Sequence, residues 1–110
     1  MTRLAALMMV LAVSVGPRAL AAKAEHEVLI QGMKFVPDRL QVHVGDTVVW
    51  KNEDLVPHTV TAKGKSFDSP PIESGKSWRT VIRRRGDFPY FCRFHPLMKA
   101  GLSSETIPTP

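Results

Sequence analysis

A chain of 110 residues is one domain's worth of sequence, with no room for a second full core. Lys and Arg number 15 against 10 Asp and Glu, a formal charge of +5, and 44 % of the residues are hydrophobic, too many for a disordered chain. A single cysteine forbids an internal disulfide and a Cys-rich zinc module, so a multidomain enzyme, a repeat array and a disulfide scaffold are excluded.

Residues 1–21 read as a cleaved secretory signal peptide. Arg3 supplies the positive n-region, Leu4 to Val15 an apolar run broken only by Ser14, Gly16-Pro17 the helix breaker, and Ala19-Leu20-Ala21 a small-x-small cleavage site. The run is short for a membrane anchor, which needs roughly 20 apolar residues. A second cut after Ala24 is compatible with the sequence. Residues 22–110 are then one domain, with 33 hydrophobic residues among 89 and 13 basic against 10 acidic groups, a charge of +3. Export makes the lone thiol a liability unless it is buried, paired between chains or ligated.

The mature part shows short alternating runs divided by turn signals, which predicts an all-β sandwich or barrel. His26–Gln31 is the first strand. Leu40, Val42 and Val44 alternate with polar residues, Gly45-Asp46 turns the chain, and Thr47–Lys51 follows with Val48 and Trp50 inward. His58–Ala62 is a further short strand. Lys63–Ser74 is a loop, with Gly64, Pro70 and Pro71 as breakers. Ser77–Ile82 puts Trp78, Thr80 and Ile82 on one side, and Arg83-Arg84-Arg85-Gly86-Asp87 turns. Phe88–Cys92 puts Phe88, Tyr90 and Cys92 on one face, and Pro89 must point away from a ladder partner or mark a bulge. The tail 103–110 is expected to fray.

The cysteine opens Cys92-Arg93-Phe94-His95-Pro96-Leu97-Met98, so thiolate, imidazole and thioether recur every three residues. By composition, a lone cysteine has His three on and Met six on about once in six hundred chains. A soft thiolate, two imidazoles and a weak thioether are the donors of a trigonal His₂Cys copper site with an axial Met. His58, after Val56-Pro57, supplies the second imidazole from another part of the fold. The competing reading is a buried structural cysteine with a surface histidine and a core methionine. Neither His43 nor His26 has ligand spacing.

These residues resemble the cupredoxins, the type 1 blue copper proteins, and among them the amicyanin and plastocyanin group. Met33-Lys34-Phe35, Pro37, Val42-His43-Val44-Gly45-Asp46-Thr47-Val48, Trp50, Asn52 and Pro57-His58 follow the family's N-terminal half. Gly86, Tyr90, Cys92, His95-Pro96 and Met98 follow its C-terminal half. The resemblance implies an eight-strand Greek-key β-sandwich with one copper at one end. It implies His58, Cys92 and His95 as equatorial ligands and Met98 as the axial one. It also implies a periplasmic electron carrier, with an amine dehydrogenase as a candidate donor and a c-type cytochrome as a candidate acceptor.

In the family the second histidine of the loop is the electron port, here His95. Pro96, Leu97, Phe94, Pro57, Val56 and Met33 are expected to form an apolar docking collar around it. With no open coordination position and no general acid or base beside the site, catalysis is not expected. Many relatives carry Asn after the first ligand histidine; Thr59 stands here and is expected to make fewer side-chain hydrogen bonds. Asn52 is expected to organise the turn before His58. The arginine run reads as a solvated turn, and an exported chain of +3 argues against nucleic-acid binding. After Met98 only Leu102 offers an inward apolar group, so a weak or shortened last strand is expected. A monomer without stable membrane insertion is the default. Two other readings stay open: a protein that stores or delivers copper, and a metal-free β-sandwich interaction module.

Overall fold

The structure, a computed structural model, describes residues 5, 12 and 23–107. The leader expected over residues 1–21 falls outside the described residues except at positions 5 and 12, as does the end of the tail, 108–110. Eight strands form: β1 (Glu25–Ile30), β2 (Phe35–Val36), β3 (Arg39–His43), β4 (Thr47–Asn52), β5 (Thr61–Ala62), β6 (Ser77–Val81), β7 (Gly86–Cys92) and β8 (His95–Glu105). They make two four-stranded sheets, in the order β2-β1-β4-β6 and β3-β8-β7-β5. Two neighbouring pairs, β1/β4 and β3/β8, are parallel and the others antiparallel. Parallel neighbours need crossing connections, and here the chain passes repeatedly between sheets, as Greek-key connectivity requires. No helix among the described residues is long and apolar enough to cross a membrane.

Alternation decides which side chains go inside. Val28 and Ile30 of β1, and Val48 and Trp50 of β4, are fully buried. Each such side chain contributes about 1.5–3 kcal/mol of apolar burial. The second sheet answers with Val42, Tyr90, Cys92 and Leu102. Trp50 and Tyr90 bridge the sheets: the indole Nε1 donates to the Tyr90 hydroxyl at 3.2 Å, and the rings meet edge to face with centroids 5.7 Å apart. That bond satisfies both polar tips inside an apolar core. Burial pushes the Tyr90 phenol up to about 12, despite the bond from Trp50.

Three expectations are corrected. The last strand is neither weak nor short: β8 is the longest, at 11 residues, and Arg39–His43 pair with Gly101–Glu105 along it. Its second inward group is Ser104, whose hydroxyl donates to the Arg84 carbonyl, so a polar residue sits buried without an unmet bond. The expected fraying of 103–110 is therefore wrong for Ser103–Glu105, which are in the strand. His58–Ala62 is not a continuous strand: only Thr61–Ala62 pair with β7, while His58 makes an isolated bridge to Ile72. Of the two outcomes expected for Pro89, the bulge is not the one found: Pro89 sits opposite Gly101, whose amide donates to the Asp38 carbonyl, and the bulge falls between Phe91 and Cys92.

Candidate metal centre

Each candidate donor occupies a constrained place. Cys92 ends β7 and His95 begins β8, with only Arg93-Phe94 turning between them and Cys92 paired to His95. The bulge beside Cys92 twists the strand locally, as bulges do near functional sites. His58 comes from the connection between β4 and β5, held by reciprocal backbone hydrogen bonds with Ile72. The donor atoms of His58, Cys92 and His95 lie within 4.8 Å of one another. Nδ1 of His58 and Nδ1 of His95 are each 3.7 Å from Cys92 Sγ. Met98 is buried in β8 and belongs to the same core cluster as Cys92. His58 and Cys92 are fully buried, whereas His95 is half-buried.

These separations fit an ion at the centre. Metal–nitrogen and metal–sulfur arms of about 2.0–2.3 Å, as zinc makes with the same donors, put trigonal N and S atoms about 3.8 Å apart. A neutral hydrogen-bonded cluster explains the geometry poorly, because both imidazoles aim the same ring nitrogen at one weak acceptor.

The surroundings fix the donors. His58 Nε2 lies 2.8 Å from Asp54 Oδ2, so the ring is gripped opposite the face turned to Cys92. A carboxylate on the distal nitrogen orients a metal-binding histidine and raises its basicity. Asp54 also accepts the amides of Gly32 at 2.7 Å and Met33 at 2.9 Å, tying the β1–β2 turn to the site. Both turn residues have φ of +61°, which Gly32 adopts freely. Burial alone would raise the Asp54 pKa, but the Met33 and Gly32 amides and His58 outweigh it and hold the carboxyl below its ordinary value. Asn52 behaves as expected: its Nδ2 donates to the Val56 and Ile72 carbonyls, and its Oδ1 accepts the Asp54 amide.

Thr59 makes more bonds than expected. Its amide donates to Cys92 Sγ at 3.3 Å. Its hydroxyl accepts the Arg93 amide at 2.8 Å and meets the Thr61 hydroxyl at 3.1 Å, which in turn donates to Asp68. The Arg93 guanidinium then reaches the Ser69 carbonyl and Asp68. The two loops that carry the candidate donors are thus stitched by a polar chain starting at Thr59. The bonding roles of Asp54, Thr61 and Asp68 were not anticipated from the sequence. A carboxylate four residues before His58 was the available signal for the first; the other two had none.

The cupredoxin-like domain family matches residues 3–102. The chain belongs to the cupredoxin-like family. Amicyanin-alpha of Methylorubrum extorquens is 30 % identical over 84 residues, covering 72 % of this chain and 71 % of that protein. Amicyanin of Paracoccus denitrificans is 28 % identical over 99 residues, covering 84 % and 76 %. Among solved structures, a copper(I) amicyanin variant superposes with a TM-score of 0.70 at 27 % identity, covering 74 % of this chain and 82 % of that one. A purple cupredoxin from Nitrosopumilus maritimus gives 0.67 at 26 % identity, covering 73 % and 99 %. The cofactor of this cupredoxin is copper: a thiolate with two imidazoles suits that metal, and the buried thioether suits its reduced state.

The expected collar of this cupredoxin is largely exposed. Leu97 is 93 % exposed, Phe94 49 % and Val56 42 %. Met33 and Leu97 line one cleft together with Phe35, Pro37 and Met98. Leu55, 94 % exposed beside Val56, belongs to the same loop and was not anticipated.

Proposed function

We propose that this cupredoxin is a periplasmic one-electron carrier that holds one copper through His58, Cys92, His95 and Met98. The convergence of the two Nδ1 atoms on Cys92 Sγ carries the reading. Bound copper supplies a reversible Cu(II)/Cu(I) couple. Cys92 and Met98 are soft donors suited to the reduced ion, and the imidazoles serve both states. Asp54 fixes His58, the Thr59 amide fixes the Cys92 sulfur, and the Thr59–Arg93 bond fixes the turn between Cys92 and His95. Donors held this firmly move little when charge changes, which favours transfer. The same locking opposes the rapid exchange a copper-delivery protein needs.

His95, the half-buried member, is the electron port, and the apolar residues around the loop form a transient docking face for redox proteins. An amine dehydrogenase as donor and a c-type cytochrome as acceptor fit the amicyanin likeness. Adding Cu(II) to the apoprotein tests the reading. An intense blue colour that is reversibly bleached by reduction supports the carrier. Colourless or rapidly exchanging copper favours handling, and no binding leaves an interaction module.

Residues 1–21 act as the export leader in this reading. Ala24 donates to Asp46 and accepts from Thr47, so a cut after Ala24 would strip bonds from the fold. Cleavage is assigned after Ala21, and N-terminal sequencing of the exported protein checks both location and cut.

A further inference from the structure

We propose that the end of the sandwich remote from the metal centre docks on an anionic phospholipid surface through Lys23, Arg83, Arg84 and Arg85. The three arginines occupy consecutive positions between β6 and β7, and all four cations are exposed. The backbone gathers them. Gly45 donates to the Ile82 carbonyl, next to Arg83, and the Lys23 side chain lies over Gly45, within 3.1 Å of where a Cβ would stand. Ser104 at the end of β8 holds the Arg84 carbonyl. Cys92 lies at the opposite end of the seven-residue β7, about 20 Å away at strand rise.

The charges at this pole are unspent. Among the described residues none of the four forms an ion pair, whereas nearby Arg79 is paired with Glu25. Asp46, the central acid of this end, is buried and engaged by the Ala24 and His43 amides and by His26. Among the acids on the adjoining strand ends, Glu25, Asp87 and Glu105 face solvent, and Glu25 is paired with Arg79.

A guanidinium presents a planar fork that matches phosphate oxygens. The cleft between the arginines and the core, lined by Phe67, Thr80, Phe88, Arg83 and Arg84, is small, at about 70 Å³. An exposed cationic turn whose arginines line only this small cleft fits a flat anionic sheet of headgroups better than an acidic segment. Docked this way, the domain turns His95 and its apolar surroundings outward to soluble partners.

Each basic residue near an anionic membrane strengthens binding about fivefold, so removing three weakens it about a hundredfold. The test is co-sedimentation of the copper-loaded protein with phosphatidylglycerol vesicles and with phosphatidylcholine vesicles, at low and high salt. The expected result is binding to phosphatidylglycerol alone, lost at high salt and lost in R83Q/R84Q/R85Q, whose colour stays that of the parent. Equal binding to both lipids would mean apolar insertion and overturns the proposal. So does a triple variant that binds as before. Capture by polyglutamate without binding to phosphatidylglycerol would overturn it in favour of an acidic protein partner. Because colour and vesicle binding are read separately, failure of one leaves the other standing.

Discussion

Asp54 grips His58 from the side away from Cys92, at 2.8 Å between Oδ2 and Nε2, while holding the Gly32 and Met33 amides with the same carboxylate. One short acid therefore orients a buried imidazole and anchors a neighbouring turn. The turn carries Met33, part of the exposed apolar surface, so the proposed ligand shell and the proposed docking face share a support.

Replacing Asp54 with Ala frees both. Loss of an outer carboxylate on a metal-binding histidine costs about 10–100-fold in metal affinity. Competition of the variant and the parent for copper against a common chelator measures this. Equal affinities would show that Asp54 supports only the turn.

Thr59→Val keeps the shape and the amide bond to Cys92 but removes the hydroxyl that accepts from Arg93 and meets Thr61. A partly buried backbone donor loses its partner, at a cost of about 1 kcal/mol. Urea unfolding of the apoprotein is expected to show a lower midpoint at unchanged slope. An unchanged midpoint would mean that the Arg93 amide finds another acceptor.

Asp46 makes acid stability directional. Burial would raise its pKa, but bonds from His26, His43 and Ala24 prevail and lower it from 3.8. A carboxyl depressed in the folded state adds stability above its unfolded pKa, and that stability is lost as pH falls through the folded value. The parent should therefore lose stability steeply below about pH 4, and Asp46→Asn should flatten that limb while lowering stability at neutral pH by about 2–3 kcal/mol. Denaturant midpoints across the acid range check it. An unchanged slope in the variant would place the acid sensitivity elsewhere.

Leu97 is 93 % exposed beside the half-buried His95. Leu97→Glu places a charge in the apolar face without touching the core. Electron transfer to a redox partner should slow by about tenfold or more while the visible copper spectrum stays as in the parent, since one desolvated charge costs a few kcal/mol at an interface. A changed spectrum would mean that Leu97 shapes the site itself.

The convergence of His58, Cys92 and His95 was legible because chemistry confines it: few residue types hold copper, and the Cys92–His95–Met98 spacing puts three candidate donors on one hairpin. Strands with alternation, such as Arg39–His43, were legible for the same reason: one face is buried. What escaped depended on partners far along the chain. Ser104 looked unfit for a core position until the Arg84 carbonyl arrived opposite it. His26, read only as the start of the first strand, is fastened to Asp46 at 2.9 Å. Thr59 looked deficient beside asparagine because its use of Arg93 and Thr61 depends on loop geometry rather than on side-chain length.

The most direct test is a titration of the purified apoprotein with Cu(II), followed by visible absorption, with Cys92→Ser run beside it. The expected result is an intense blue band that saturates at one copper per chain, bleaches and returns through a reduction–oxidation cycle, and is missing from Cys92→Ser. Copper that binds without colour, or a blue band that survives the loss of the Cys92 sulfur, would contradict a type 1 centre built on His58, Cys92, His95 and Met98.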